Sequence, residues 1–523
     1  MPSTLRTLFV KHLHHNILFS VLFLLILTAA FRLYQLTTIP YGLNNDAAWE
    51  GLAAIDIRNG NWMQHIPYDQ EGWRGEGIIR ICVVGFMKFF GNDPITIKLS
   101  SALFGIGLVI PVFFLIRSLF STQLGFLTAF FIATSGWHII MSKSGWRAIS
   151  VPFFTSCVLY IFFRMMKKQT YRLYILGGIL LAATLYTYDA ARIVPCLIIF
   201  LLGYFFFTGH ASSKHTDGLL IFISVCILTL YPLIFFAIDN WQSFIGRSDA
   251  LFVGHTIQKT KSIAPLLENI TTTALLFTHR ANGNDFFINE PLLDQPAIWL
   301  FPIGLFMCFW EAIRRKKTYQ FMLLWFIAGL IPGVISMPNG NRVIGALPAL
   351  YFFVALGTIT VVKAILHVLE LKDIAARSIL ILLCVFTVFI TYSTYIGPTR
   401  KEIPGFYPET IAITNHIKTI RSTYNIVITT EYPWETLSFL LYEMGNPFEK
   451  NYQWVSPDTF SFDQNLLKPE KGIAIYCKDT AKNYQTIKKL FDSYPTMTKH
   501  SIFYPAPMIE KDAGIVILIP PKQ

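Results

Sequence analysis

Two carboxylates, Asp46 and Glu50, stand four residues apart just beyond the first long apolar run of this 523-residue sequence. On a helix that spacing puts both on one face. A carboxylate held at a membrane surface can act as a general base, taking the proton from a hydroxyl as its oxygen attacks. The competing reading is local: Asp46 precedes a helix-like run, Ala47 to Ile57, where an aspartate is a preferred N-cap. Further along the same loop, Glu71-Gly-Trp-Arg74-Gly-Glu76-Gly offers Arg74 as a cation for a substrate.

Three more arginines stand at the ends of apolar runs. Arg147 follows Gly136-Trp-His138 and Ser144-Gly-Trp146, Arg192 closes Tyr186-Thr-Tyr188-Asp189-Ala-Ala, and Arg342 ends Pro338-Asn-Gly-Asn-Arg342. A guanidinium fork matches phosphate oxygens. Any one arginine alone reads better as a side chain snorkelling to lipid head groups, whereas three together beside acidic loops set phosphate binding level with that reading, with Tyr188 as a neighbour. Asp189 either pairs with Arg192 one turn on or acts as an acid itself. His138 has no partner ligands in sequence, so a hydrogen-bonded structural role stands against a ligand role. Asn269-Ile-Thr271 is a glycosylation sequon, which carries no meaning in a prokaryote.

The elements that must position these groups are membrane helices. The chain is 53% hydrophobic and 14% charged, against about 25% charged for a soluble domain. Its mean hydropathy is +0.49. A helix needs about 20 apolar residues to cross a bilayer. Eleven such runs begin near Asn16, Ile97, Leu124, Val151, Leu173, Ile193, Leu219, Ala297, Phe321, Val343 and Ile379. The third and fourth are short and separated by Ser142 to Arg147. Met1 to His15 has the look of a signal-peptide n-region, but the apolar run behind it is too long, so it counts as a span. Leu5, Leu8, Phe9 and Leu13 could line a short helix on the membrane surface. Arg6, Lys11, Arg117, the Arg164–Arg172 loop, Lys214, the Arg314–Lys317 run and the Lys363–Arg377 loop all fall on one side of an eleven-span chain with a cytoplasmic N-terminus. The formal charge of +12 is thus mainly a topology signal, and scattered positives exclude a nucleic-acid surface.

The opposite side receives the long segments 37–96 and 240–295 and everything after Tyr395, and with them the chemistry. The expected organisation is a transmembrane domain, residues 1–396, followed by an extracytoplasmic α/β domain, 397–523. In the latter, Asn425 to Thr430, Gly472 to Cys477 and Gly514 to Pro520 read as strands, and Glu435 to Met444 and Thr480 to Ser493 as helices, in a mainly parallel sheet. The domain lacks a P-loop and a GxGxxG turn, so it reads as a lid or docking module. Seven cysteines form no CxxC pair, and a zinc site lacks its ligand spacing.

Taken in order, Asp46, Gly51-Leu-Ala-Ala, Gly60, Phe90-Gly91, Lys98-Leu-Ser-Ser-Ala-Leu-Phe-Gly105, Ser135-Gly-Trp-His138, Ser142, Arg147, Tyr186-Thr-Tyr188, Arg192, Asn282-Gly-Asn284-Asp285, Pro291-Leu-Leu-Asp294 and Arg342-Val-Ile-Gly-Ala-Leu-Pro348 resemble the bacterial and archaeal branch of glycosyltransferase family 39. That family belongs to the GT-C superfamily, with the protein O-mannosyltransferases and the lipid A aminoarabinose transferases. The resemblance covers roughly Ile17 to Leu350. It implies an inverting transferase of the plasma membrane that takes a sugar from a polyprenyl-phosphate donor at the outer face. The acceptor would be a protein, a lipid or a cell-envelope glycan. Asp46 would be the base, Arg147, Arg192 and Arg342 would hold the lipid phosphate, and a divalent metal ion is left open as cofactor. The sequence departs from the family where Ala47 replaces the acid that often follows the aspartate, so Glu50 takes that role one turn on or Asp46 acts alone. The Trp-Trp-Asp motif of oligosaccharyltransferases is missing. The competing class is a non-catalytic transporter of lipid-linked glycans or a cell-envelope assembly factor. It would show ionisable groups within spans and internal repeats; such charges are few and no repeat is evident.

Overall fold

The computed structural model describes residues 3–62, 77–207, 213–280, 291–370, 373–395, 406–442, 452–457, 471–480, 483, 485–487, 498–503 and 512–520, with backbone alone over 3–16 and at a few element ends. The surface face expected of Leu5, Leu8, Phe9 and Leu13 lies outside the described side chains. So do Arg74 and Asn282 to Asp285, and so does most of the helix expected from Thr480 to Ser493.

Each of the eleven apolar runs falls in a helix. Among the described residues, six are long and apolar enough to cross a membrane: Pro94–Leu119, Arg147–Lys168, Asp189–Phe207, His215–Asp239, Gly340–Val368 and Ile374–Tyr395. Ile17–Leu33, Tyr171–Leu185 and Ala297–Ile313 are shorter apolar helices. The third run is a bent pair, Thr122–Ala133 and Gly136–Lys143, meeting at 56°. The break has a local cause. Ser135 takes an extended conformation and its hydroxyl accepts the backbone N–H of His138, starting the second helix afresh.

Between helices, small residues set the spacing. A Cβ on Gly304 would lie 1.7 Å from the Phe353 carbonyl oxygen, and one on Gly357 2.1 Å from that of Leu300. The helices Ala297–Ile313 and Leu347–Val368 therefore touch backbone to backbone, the close approach that small residues permit where lipid supplies no hydrophobic drive.

The chain forms two compact units that do not divide at one point. The first gathers Met1–Tyr34, Asn59–Ile81 and Leu99–Arg400; the second gathers Gln35–Arg58, Cys82–Lys98 and Lys401–Gln523.

The second unit contains a five-stranded sheet. Its strands are β1 (Tyr424–Thr429), β2 (Tyr452–Val455), β3 (Gly472–Cys477), β4 (Thr498–Phe503) and β5 (Asp512–Ile519), in the order β2-β1-β3-β5-β4. β1 runs parallel to β2 and β3, whereas β5 is antiparallel to β3 and β4. The sheet is mixed rather than mainly parallel. The reason is that β4 and β5 pair directly, without a crossover back to a parallel position. The inner strands are apolar on both faces. Ile426, Ile428, Ala474, Tyr476 and Val516 pack under the helices Pro408–Ile420 and Trp434–Leu441, while Val427, Ile475, Cys477, Ile515 and Ile517 form a second core on the other face. The edges β2 and β4 carry Gln453, Lys499, His500 and Ser501, the polar content that protects an edge from pairing with another chain.

Candidate functional site: an arginine-lined cavity and an acid-bearing helix

In the first unit the cavity is built by two short helical turns. Tyr188 is extended, and the 3₁₀ turn Asp189–Arg192 follows it and opens the helix Ile193–Phe207. Asn339, also extended, caps the turn Gly340–Val343 by accepting the backbone N–H of Arg342 at 3.0 Å. These turns aim Arg192 and Arg342 at one space of about 310 Å³. Tyr188, Asp189, Arg192, Arg247, Ser248 and Arg342 supply its polar lining, and Ile193, Leu251, Phe252, Ile331, Pro332 and Ile335 its apolar wall. Arg192 is steered from several sides. It pairs with Asp189 at 2.8 Å, donates to the Phe244 carbonyl at 3.2 Å and to the Ser248 hydroxyl at 3.3 Å, and lies 4.3 Å over the Phe244 ring. Arg147, nearly fully buried, sits 5.0 Å over Trp146 and 5.6 Å over Tyr188. Three guanidinium groups against apolar walls suit an anion that carries an apolar body.

Of the residues read from sequence, Tyr188, Asp189, Arg192 and Arg342 thus line one cavity, with Arg147 stacked on Tyr188. The Asp189–Arg192 pairing forms as the local reading had it. Arg247 was not read from the sequence. It lies on the helix Trp241–Ala250 inside a long polar segment, away from any span end, and had no signal of its own.

His138 lies elsewhere. Its Nδ1 faces the Arg32 Nη2 at 2.5 Å. A guanidinium only donates, so Nδ1 accepts and the ring proton sits on Nε2. Arg32 is fully buried and also donates to the carbonyls of Thr28, Ala133 and Ile132 and to the Ser142 hydroxyl. His138 and Ser142 therefore fasten the bent pair. Ser101 joins them, donating to the Ser142 carbonyl at 2.6 Å and accepting the Gly145 N–H at 3.0 Å. Asp294 accepts the Gly136 N–H at 2.7 Å and the Tyr395 hydroxyl. The sequon residue Asn269 donates its amide to the carbonyls of Val334 at 3.0 Å and Ser336 at 2.7 Å, which closes the end of the helix Lys317–Val334 beside the cavity wall.

In the second unit, Asp46 and Glu50 ride on the helix Asn45–Arg58. The N-cap is Asn44, whose side chain accepts the Ala47 N–H at 2.8 Å, so the capping role expected of Asp46 falls to its neighbour. Asp46 is exposed in the first turn and Glu50 is fully buried. The two acids sit one turn apart, but one faces water and the other does not. The Tyr407 hydroxyl is held above its ordinary range, first by burial and then by the carboxylates of Glu409, Glu435 and Asp46. Burial also pushes the Glu409 carboxyl up. Among the described residues, no three His, Cys, Asp or Glu side chains are placed to hold a metal ion. All seven cysteines are free thiols.

No protein-family profile matches the sequence, and no curated protein aligns with it. Solved structures do resemble it. ArnT from Cupriavidus metallidurans, bound to undecaprenyl phosphate, superposes with a TM-score of 0.58 at 12% identity over 96% of this chain and 98% of its own. The oligosaccharyltransferase of Archaeoglobus fulgidus in its apo form gives 0.54 at 13% identity over 90% of this chain and 71% of its own. The same organism's AglB, in complex with an inhibitory peptide and a dolichol-phosphate, gives 0.54 at 12% over 96% and 74%. The chain is a polytopic helical membrane protein that shares the fold of ArnT and of this oligosaccharyltransferase and carries a small α/β domain at its C-terminal end.

Proposed function

We propose that the protein is a glycosyltransferase that moves a sugar from a polyprenyl-phosphate donor to an acceptor hydroxyl or amine, with inversion at the anomeric carbon. The observation that carries this reading is the cavity where Arg192, Arg247 and Arg342 meet apolar walls. A lipid phosphate has the matching chemistry, a charged head on an apolar chain. Two neighbours of the same fold hold such molecules, undecaprenyl phosphate in ArnT and dolichol-phosphate in AglB.

In the proposed step, the Asp46 carboxylate takes the acceptor proton. The acceptor oxygen or nitrogen attacks the anomeric carbon on the face opposite the phosphate. The bond from that carbon to the phosphate oxygen breaks, and its electron pair leaves with the lipid phosphate. Negative charge grows on the leaving oxygen, and the cavity's guanidinium groups stabilise it, Arg192 being already oriented by Asp189, Ser248 and the Phe244 ring. The cationic charge for this step comes from arginine, and we assign no metal to it. The step belongs at the outer face, where the long loops are read to lie.

The test is sugar release by the purified protein from a radiolabelled panel of polyprenyl-phosphate sugars, beside Asp46→Asn. Transfer or slow hydrolysis by the wild type, lost in the variant, supports the reading and its base together. A folded wild type that turns over no donor, with or without acceptor peptides and lipids, moves the weight to a non-catalytic handler of lipid-linked glycans.

A further inference from the structure

The helix that carries Asp46 is short, and most of its buried residues are small. Ala47, Ala48, Gly51, Ala53 and Ala54 are buried along it, and alanine and glycine bury too little area to hold a helix in place by themselves. What they permit is close approach. The element that approaches is Trp434–Leu441, from the far end of the chain. Phe439 is fully buried in one core with Leu43, Ala47, Ala48, Leu52, Ala54 and Ile55. A Cβ on Gly51 would lie 2.6 Å from two atoms of the Phe439 ring, so glycine is what lets the ring seat against the backbone.

The contact extends on both sides of that ring. The rings of Trp49 and Trp434 lie 6.5 Å apart at 33°. The Thr436 hydroxyl donates to the Asn45 side-chain oxygen at 3.3 Å, one residue before Asp46. Ahead of the helix, the Tyr407 N–H donates to the Leu43 carbonyl at 3.0 Å. Gly42, at φ +93°, brings the chain so near that a Cβ would lie 2.8 Å from the Pro408 nitrogen.

We infer that the C-terminal α/β domain is the seat of the acid-bearing helix, and that Phe439 and Trp434 are positioning residues that set where the Asp46 carboxylate stands. The catalytic part of this inference rests on Asp46 being the base. A lid would swing over the first loop as a separate body. Here the loop helix and the domain share one hydrophobic core, so the acid moves only as the domain moves.

The test uses the full-length protein in detergent, with Phe439→Ala, Phe439→Leu and Gly51→Ala. Hydrogen exchange over residues 45–58 reads the seat without reference to activity. In Phe439→Ala, exchange there rises at least about tenfold, since local opening follows lost packing. The kcat falls about 10²-fold, as for a small misplacement of a reacting group, while KM for the donor stays within about twofold. Phe439→Leu restores most of both. Gly51→Ala, which forces the ring away, reproduces the loss from the loop side, and adding Phe439→Leu to it recovers part. That pair decides the matter if Phe439→Ala does not fold. Unchanged exchange over 45–58 in Phe439→Ala and Gly51→Ala overturns the seat. Faster exchange with an undiminished kcat, in a protein that Asp46→Asn inactivates, overturns the positioning role. Full activity in Asp46→Asn instead removes the base reading, and the exchange result still decides the seat.

Discussion

The arginine cavity and the acid-bearing helix are built on opposite principles. The cavity in the first unit collects charge from residues far apart in sequence, Arg192, Arg247 and Arg342, and presents them from short turns and a loop helix against apolar walls. Arg192 among them is steered by Asp189, Ser248 and the Phe244 ring. The helix in the second unit places its acid mainly by packing, small residues against a phenylalanine ring, with hydrogen bonds at Asn44 and Asn45 fixing its first turn. Charge removal should therefore damage the first region while leaving its shape. Loss of packing should damage the second while leaving its charge.

The largest effect expected in this contrast is at Asp46. Asp46→Asn keeps the packing and removes the base, so sugar transfer should fall by about 10²–10⁴-fold with an unchanged thermal unfolding profile. An equal loss of thermal stability would make Asp46 a structural residue. Next is Arg342→Ala, which should lower kcat by about 10²-fold, since one donor to a developing charge is worth roughly 3 kcal/mol. Arg342→Lys should recover little, because a point charge does not replace a bidentate fork. Full rescue by lysine would reduce the cavity to simple charge attraction.

A smaller effect is expected from Asn269→Ala, which strips two hydrogen bonds from the carbonyls of Val334 and Ser336. Binding of the donor, measured by titration, should weaken several-fold through the cavity wall, with destabilisation of about 1–3 kcal/mol. Normal stability and binding would show that the wall holds without this clamp.

The smallest effect is a pH dependence of the second unit. His416 accepts from or donates to the Tyr476 hydroxyl at 2.8 Å, and burial, then His500, lowers its proton affinity. The folded form thus favours the neutral ring. Its contribution is present above the ordinary histidine value of about 6.5 and is lost as pH falls from there toward the lowered folded value. Thermal unfolding followed from pH 7.5 to 5 should show this loss, and His416→Gln should flatten it. An unaltered slope in that variant would assign the dependence to other groups.

Much of the molecule was legible because local chemistry decided it. The apolar runs specified helices, and the runs Asn425 to Thr430, Gly472 to Cys477 and Gly514 to Pro520 specified inner strands. The edge strands Tyr452–Val455 and Thr498–Phe503 were not legible, because the first is only four residues long and the second opens with the polar residues Thr498 to Ser501. In the site, Arg147, Arg192 and Arg342 stood out as positives where the span pattern disfavours them. Arg247, in a polar segment, did not.

Sequence by itself therefore determined that this is a membrane protein with a C-terminal α/β domain, because hydropathy and β-propensity act within a few residues. The choice of Asn44 over Asp46 as the cap is local, but the two residue types cap equally well, so the structure was needed to decide it. Tertiary structure alone decided that His138 is occupied by Arg32 and that Phe439 packs on Gly51. Such pairings join residues up to several hundred positions apart. They are selected by shape and by hydrogen-bond satisfaction in the folded state, which leave no local periodicity to read.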